Sequence, residues 1–188
     1  MSLVELIAQA DERGLAVSGL ACLDRCVPLL AGDDEVLRPL WSSLAQDAGA
    51  GDWTRRLEEV RGGLDTAEHD DEAAALARRM LAAAPARPSA AELRVWADAC
   101  SVAALRVHRL LDGAAAEGGE DGDPVDACRA GRTEGMSPLV AAELRRQVAV
   151  LELLSAHGPT GLRGALEVST EGRRVLRAAL SRRSRRND

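Results

Sequence analysis

The feature that most constrains the fold of this chain is a long helical pattern between Ser89 and Gly113. Apolar residues recur there at spacings of three and four, which places them on one face of an α-helix. They are Leu93, Trp96, Cys100, Ala103, Val107 and Leu111. Ser89 and Glu92 form a capping box at the start, and Gly113 can end the helix. The pattern predicts an amphipathic helix of about six turns with one buried face.

The rest of the chain shows the same kind of periodicity. Ser2 and Glu5 form another capping box, so a first helix is expected to begin there and to end at Gly14. A second is expected over about 18–30. No alternating run of β-branched residues and no Asn-Gly hairpin signal occurs. We therefore predict an all-α, single-domain bundle of about seven to nine helices.

The last fifty residues predict three helices in succession. A long helix is expected after Ser137 and should end at Gly158, which precedes a proline. Shorter helices are expected over 162–168 and 169–180. Together these pieces resemble a helix-turn-helix, and the resemblance covers residues 160–186.

Polarity sets the expected boundaries of the folded part. Residues 113–123 are acidic and rich in Gly, and such a segment cannot bury enough apolar surface to order itself. We expect a mobile loop there. Residues 181–188 hold four Arg and no apolar side chain, which predicts a disordered tail. The helical domain is accordingly expected to span residues 1–180.

The chain has very few aromatic side chains. Trp41, Trp53 and Trp96 are the whole set, with no Phe or Tyr, so the core must be built from Leu, Val and Ala. Base stacking on aromatic rings is a main source of affinity for single-stranded nucleic acid, and no ring lies in the basic part of this chain. If the bundle binds a ligand, a pocket beside one of the tryptophans is the expected place.

Charge is divided between the two parts of the chain. Residues 1–128 hold 12 Arg and 24 acidic side chains, whereas residues 129–188 hold 12 Arg and 6 acidic side chains. The chain has no Lys, which is typical of coding in a GC-rich bacterial genome, so the choice of Arg over Lys carries no functional information. The asymmetry itself indicates a contact made by the C-terminal part.

Our leading hypothesis is a non-enzymatic module that acts through protein contacts or has a regulatory role. The basic residues expected to make the contact are Arg173, Arg174, Arg177, Arg182, Arg183, Arg185 and Arg186. They could bind a partner protein, bind the acidic part of a second copy head to tail, or fold back on the acidic part of the same chain.

A DNA-binding regulator is the first alternative. In the helix-turn-helix interpretation, the same arginines would contact the major groove or the phosphates. The net charge of −6 opposes this, as does Ser169 at the turn position that Gly usually occupies. Gly164 and Gly172 also weaken the two helices that would have to pack. Nucleic acid is therefore the less favoured partner.

Two sets of residues could be read as metal ligands. Cys22 and Cys26 lie one helical turn apart, but zinc would need two more ligands and none is near in sequence. The second set, Asp65, Glu68, His69 and Glu72, shares one face of a helix. Burial explains the cysteines more simply, and an acidic first turn explains the second set. No metal and no cofactor is predicted.

Catalytic motifs give no support for an enzyme. The chain lacks Gly-x-Ser-x-Gly, a Gly-rich phosphate loop and His-Glu-x-x-His. His108 lies four residues before Asp112, which predicts an ordinary pair on the surface. The catalytic residues are unknown, and an all-α enzyme or ligand-binding bundle is the second alternative.

From the N-terminal sequence we expect no targeting segment. This sequence lacks a basic stretch followed by an apolar run, and no part of the chain approaches 18 uninterrupted apolar residues. We therefore expect a cytoplasmic protein with reduced thiols and no membrane partner.

Overall fold

A central buried helix organises the fold, and the other helices pack around it. The computed structural model describes residues 1–30, 33–46, 49–64, 71–112 and 124–187, without the side chains of Ala50, Arg186 and Asn187. The α-helices in these ranges are Leu3–Gln9 (α1), Glu12–Arg25 (α2), Arg38–Ala45 (α3), Gly49–Gly63 (α4), Glu72–Ala82 (α5), Ala90–Leu111 (α6), Pro124–Arg129 (α7), Pro138–His157 (α8) and Leu162–Asn187 (α9). Short 3₁₀ helices span Val27–Leu29 and Gly158–Gly161. The described ranges contain no strand, which confirms the all-α prediction. The loop expected over 113–123 lies outside them.

Helix α2 is the central element and is buried along almost its whole length. It packs against α6, α8 and α9. It begins earlier than the sequence predicts, because the Asp11 side chain accepts a hydrogen bond from the Gly14 N–H at 2.7 Å and caps a new helix there. Gly14 therefore lies in the first turn of α2, and its predicted role as the end of α1 is wrong.

Helix α6 confirms the longest sequence pattern. It spans Ala90–Leu111, and the Oγ of Ser89 accepts a hydrogen bond from the Glu92 N–H at 3.3 Å. Cys100 lies on its buried face, as the periodicity predicts. Within the described residues, no helix is both long enough and apolar enough to cross a membrane.

Trp96 of α6 limits how closely α2 and α6 approach each other. Trp53 and Trp96 pack edge to face, with ring centroids 6.1 Å apart and planes inclined at 72°. Gly19 of α2 lies directly against the Trp96 ring, and a Cβ added there would come within 2.6 Å of two ring carbons. Gly19 is therefore required by close packing between the two helices.

Helix α9 is continuous where the sequence predicts two helices. Ser169 is buried in mid-helix, and its Oγ donates a hydrogen bond to the Ala165 carbonyl at 2.9 Å. This satisfies the hydroxyl inside the helix, so the turn predicted at Ser169 is wrong. The two-helix geometry behind the helix-turn-helix resemblance is therefore absent from residues 162–187.

The helical conformation also continues past the domain boundary expected at residue 180. Helix α9 extends through Asn187, over most of the segment for which composition alone predicts a disordered tail. Four of these residues are arginines, which have high helix propensity, and adding residues to an existing helix is far easier than nucleating one. Asp188 lies outside the described residues.

Replacing Gly19 by Ala should destabilise the protein, because the Trp96 ring leaves no space for a methyl group. Overpacking of this kind costs about 1–3 kcal/mol. Urea unfolding monitored by tryptophan fluorescence would measure the loss. Gly62→Ala is the matched control, since nothing lies within 4 Å of a Cβ there, and it should leave stability unchanged or slightly higher. Equal stability of the two variants would contradict the packing argument.

Candidate functional site

An ion pair at the centre of the bundle links α2 to α8. The Nε of Arg25 donates to Glu143 Oε2 at 2.8 Å and to Oε1 at 3.1 Å, and Nη2 donates to Oε1 at 2.7 Å. Both side chains are 0% exposed. With His108 and Gln147, which contact the same carboxylate, they form what we call the buried ionic cluster.

Further hydrogen bonds connect this cluster to the surface. The Nε2 of Gln147 donates to Glu143 Oε1 at 2.9 Å, and the Oγ of Ser101 donates to Gln147 Oε1 at 2.7 Å. The Nε of Arg129 donates to the Ser101 Oγ at 3.0 Å, while its Nη2 pairs with the half-exposed Asp98. One chain of polar contacts therefore joins α2, α8, α6 and α7.

The protonation states inside the cluster follow from burial and charge. Burial acts to raise the pKa of Glu143, but the Arg25 guanidinium and the hydrogen bonds outweigh it and hold that pKa below its usual value. Burial lowers the pKa of His108, against the opposing attraction of Glu143. The neutral imidazole donates from Nδ1 to the Ala104 carbonyl at 2.7 Å. The predicted surface pair of His108 with Asp112 is wrong, because His108 is fully buried.

The buried ionic cluster positions helices against one another, and its charged side chains are not accessible to a substrate. Arg25, His108 and Glu143 are all 0% exposed. A catalytic acid or base must come within hydrogen-bond reach of the group on which it acts. The geometry instead holds three helices in one register, since any other rotation of α8 would leave the Glu143 carboxylate without its guanidinium.

Helix α9 closes over the cluster through a glycine. A Cβ at Gly172 would overlap the Arg25 side chain, coming within 2.7 Å of its Cγ. Gly172 also approaches Arg146, whose Cδ would lie 3.2 Å from such a Cβ. The glycine that weakens α9 as an isolated helix is therefore what lets it pack over the Arg25 side chain.

Breaking the ion pair from one side should unfold much of the protein. Arg25→Met and Glu143→Leu should each cost about 3–5 kcal/mol, because each leaves the other charge buried without its counter-ion. The double variant should be at least about 2 kcal/mol more stable than the sum of the two losses predicts. Urea unfolding of the four proteins measures this coupling.

The exposed pair of Arg163 and Glu167, with N···O 3.2 Å, is the control for this cycle. The corresponding substitutions there should couple by less than about 1 kcal/mol. Additive losses at Arg25 and Glu143 would show that the buried pair does not act as a unit.

The cysteines are core residues. Burial raises the pKa of Cys22 to about 12 and the pKa of Cys26 and Cys100 well above its ordinary value, so these groups are protonated thiols. Cys22 Sγ accepts a hydrogen bond from Arg25 Nη2 at 3.4 Å. In the described part of the chain, no group of three or more His, Cys, Asp or Glu side chains could hold a metal ion. The second predicted metal set falls mainly on residues 65–70, outside that part.

Three of the predicted contact arginines are used inside the molecule. Arg177 Nη1 donates to Asp34 Oδ2 at 3.0 Å and Nη2 donates to the other oxygen, which holds the pKa of Asp34 below its usual value. Arg173 Nη1 donates to the Asp34 carbonyl. Arg183 Nη1 lies 3.4 Å from Asp71 Oδ1. These contacts dock α9 on acidic residues of the first half of the chain.

The other predicted arginines lie elsewhere on α9. Arg174 is exposed and lies 3.9 Å from Glu171, a spacing that gives little stabilisation in water. Arg182 and Arg185 are exposed, and neither forms a hydrogen bond or ion pair with any described residue. The structure does not describe the side chain of Arg186. Among the predicted arginines whose side chains the structure describes, Arg174, Arg182 and Arg185 are therefore the exposed ones that form no ion pair with the first half of the chain.

Two cavities lie beside tryptophans, where the sequence places a ligand pocket if there is one. One of about 490 Å³ adjoins Trp53, near Ala16 and Ser43. The other, of about 370 Å³, lies between α2, α3 and α9 and is lined by Asp24 and Trp41. Both volumes are in the range of small-molecule sites.

Asp24 has an unusual environment for a carboxylate. Burial raises its pKa to about 6, against the attraction of the guanidinium of Arg173, the indole of Trp41 and the guanidinium of Arg25, while Glu35 raises it further. Its Oδ2 makes no hydrogen bond, and the Nε of Arg173 lies 3.6 Å away. At neutral pH this group is a buried charge that is only partly compensated.

The buried charge of Asp24 should make the free energy of unfolding depend on pH. The pKa of Asp24 is about 6 in the folded protein and near 3.8 in an unfolded chain, so the folded state binds the proton first as pH falls. Its contribution to the free energy of unfolding is therefore highest below pH 4 and declines as pH rises to 6. Asp24→Asn should gain about 2–3 kcal/mol relative to the wild type between pH 4 and pH 7 in urea titrations.

Asp34 provides a control of opposite sign. Arg177 lowers its pKa, so its stabilising effect is present above its unfolded pKa and is lost as pH falls. Asp34→Asn should therefore lose stability relative to the wild type as pH rises from 3 to 5. Parallel curves for the wild type and Asp24→Asn would contradict a raised pKa at Asp24.

Sequence reasoning missed Glu143 and Gln147 because it considered only the apolar residues of α8. The apolar periodicity predicts a core face of Val140, Leu144, Val148 and Leu151, and these four residues do pack in or against the core. The buried part of α8 also includes Glu143 and Gln147, together with Val150 and Leu154. A signal for their burial is present in the sequence, because Glu143 and Gln147 lie at i and i+4 with apolar residues before and after them. Polarity alone placed them at the surface.

Comparisons with protein families, with curated proteins and with solved structures give no match for this chain. Its function must therefore be argued from its own residues.

Proposed function

We propose that this protein is a non-enzymatic helical interaction module that binds an acidic surface of a partner protein through α9. The contact surface is the basic face of α9, defined as Arg174, Arg182 and Arg185. The observation that carries the proposal is the division of the α9 arginines into internally docked and exposed ones. Arg173 and Arg177 donate hydrogen bonds to Asp34, whereas the arginines of the basic face make no such bond to the first half of the chain among the described residues.

Helical geometry supports treating the three residues as one surface. At about 100° per residue, positions 174, 182 and 185 fall within roughly 80° of one another. Leu176, which is buried, lies on the opposite side of the helix. A partner that approaches from solvent therefore meets all three guanidinium groups together.

The same side of α9 also carries acidic residues, and these favour a protein partner over DNA. Glu167 and Glu171 are exposed two turns and one turn before Arg174, respectively. They fall on the same side of the helix and would repel a phosphate backbone that extended along it. A protein surface of mixed charge can complement both ends of this row.

A non-enzymatic role is supported by the placement of the polar groups. The buried ionic cluster connects helices, and its Arg25, His108 and Glu143 side chains are closed to substrates. The exposed charges, in contrast, are of the kind that speed association and select partners.

Reversing the basic face should remove binding to an acidic polypeptide. The triple variant Arg174→Glu, Arg182→Glu and Arg185→Glu should bind labelled poly-L-glutamate at least tenfold more weakly than the wild type in fluorescence anisotropy at low salt. The physical reason is the loss of three adjacent attractive charges and their replacement by repulsive ones. The wild-type affinity should fall as salt is raised.

The control triple variant reverses three exposed arginines outside α9, Arg87, Arg94 and Arg132, and makes the same change in net charge. It should retain most of the binding, and equal losses in both triples would contradict a specific basic face.

Random duplex DNA is the second probe. Tighter binding to DNA than to poly-L-glutamate, lost in the first triple alone, would favour the DNA-binding alternative. Low-salt dimers in light scattering that the first triple abolishes would identify a second copy as the partner.

A further inference from the structure

The cavity between α2, α3 and α9 extends from an exposed rim to a buried floor. Asp24 of α2 is 2% exposed and Trp41 of α3 is 5% exposed, and both line it. Glu35, Arg38 and Leu166 also line it and are exposed to solvent. The shape is that of a site a small molecule can enter from outside.

Two polar groups at the floor lack hydrogen-bond partners. Asp24 Oδ2 accepts no hydrogen bond, and Trp41 Nε1 donates none. The indole lies close enough to the carboxylate to lower its pKa, but the two groups do not meet hydrogen-bond geometry. The other two indoles are satisfied, since Trp53 donates to the Pro85 carbonyl at 2.8 Å and Trp96 to the Met80 carbonyl at 2.9 Å. Buried groups of this kind normally find a partner.

The combination of a free acceptor and a free donor identifies the ligand chemistry. An ammonium ion could donate to Asp24 but could not accept from the Trp41 N–H. A carboxylate or phosphate could accept from Trp41 but would be repelled by Asp24. A hydroxyl group does both, because it has one donor hydrogen and two acceptor lone pairs.

We propose that this cavity is a binding site for a small uncharged hydroxylated molecule, a polyol or a monosaccharide, with one hydroxyl between Asp24 and Trp41. The cavity volume of about 370 Å³ is roughly ten times the space of one water molecule, so a single water does not fill it. The exposed side chain of Leu166 and the Trp41 indole offer apolar surface to the carbon skeleton of such a ligand.

The arginine at the floor does not make this an anion site. Arg173 Nη1 donates to the Asp34 carbonyl and Nη2 donates to the Thr170 Oγ1 at 3.2 Å. Its Nε lies 3.6 Å from Asp24 Oδ2. With these contacts made, the guanidinium balances Asp24 and has little capacity left for a second negative charge.

The three tryptophans make the test direct. An ¹H–¹⁵N spectrum should show three indole N–H signals, and Trp41→Phe assigns the one that disappears. Titration with glycerol, myo-inositol and D-glucose should shift the Trp41 signal saturably for at least one of them. Asp24→Asn should weaken that binding at least tenfold, since it removes a hydrogen bond to a charged acceptor. Unchanged Trp53 and Trp96 signals would show that this variant is folded.

The Trp53 cavity is an internal control, because it is larger but its indole already donates to a carbonyl. Its signal should not move with the polyols. Ethylammonium chloride and sodium acetate are the charged probes, and neither should saturate the Trp41 signal. Absence of a saturable Trp41 shift with all three polyols would overturn the proposal. Saturation by ethylammonium, or equal shifts at Trp41 and Trp53, would overturn it as well.

Discussion

The structure depends on the buried ion pair between Arg25 and Glu143. A fully buried guanidinium and carboxylate lose their hydration, and their mutual attraction compensates for this only with good geometry and additional hydrogen bonds. Both conditions are met, because three N–H···O bonds join the two groups and Gln147 donates one more to the carboxylate. An apolar pair of similar volume could stabilise a bundle equally well. What the ion pair adds is a single permitted register of α2 against α8.

This register also determines where α9 lies and what it presents. Gly172 rests on the aliphatic part of Arg25, so the rotation of α9 about its axis is set by the core. With that rotation fixed, Arg173 and Arg177 reach the Asp34 segment and Arg174 faces solvent. Part of the positive charge of the C-terminal half is therefore used in contacts within the molecule. The exposed arginines of α9 are the part that a partner could contact.

Apolar periodicity and caps were sufficient to predict the all-α class and the limits of α6 and α8, because these signals are local. The continuity of α9 was not predictable in the same way. Glycine and serine weaken a helix locally, and only the tertiary fold shows that Gly172 permits close packing and that Ser169 is satisfied by a carbonyl one turn back. The buried cluster was missed for a related reason. A charged residue on a helix is assigned to the surface unless its partner, here 118 residues away, is known.

Asp24 and Arg25 are neighbours in sequence, yet the fold treats their charges differently. Arg25 donates three hydrogen bonds to the Glu143 carboxylate and one to the Cys22 thiol, and its Nη1 alone lacks an acceptor. Asp24 has a weaker counterpart, because its Oδ2 accepts no hydrogen bond and lies 3.6 Å from the Nε of Arg173. Asp24 faces a cavity that reaches solvent, next to an indole N–H that also lacks a partner. Because a buried carboxylate oxygen without a hydrogen bond is costly, this arrangement is best explained by a polar molecule that completes it from outside.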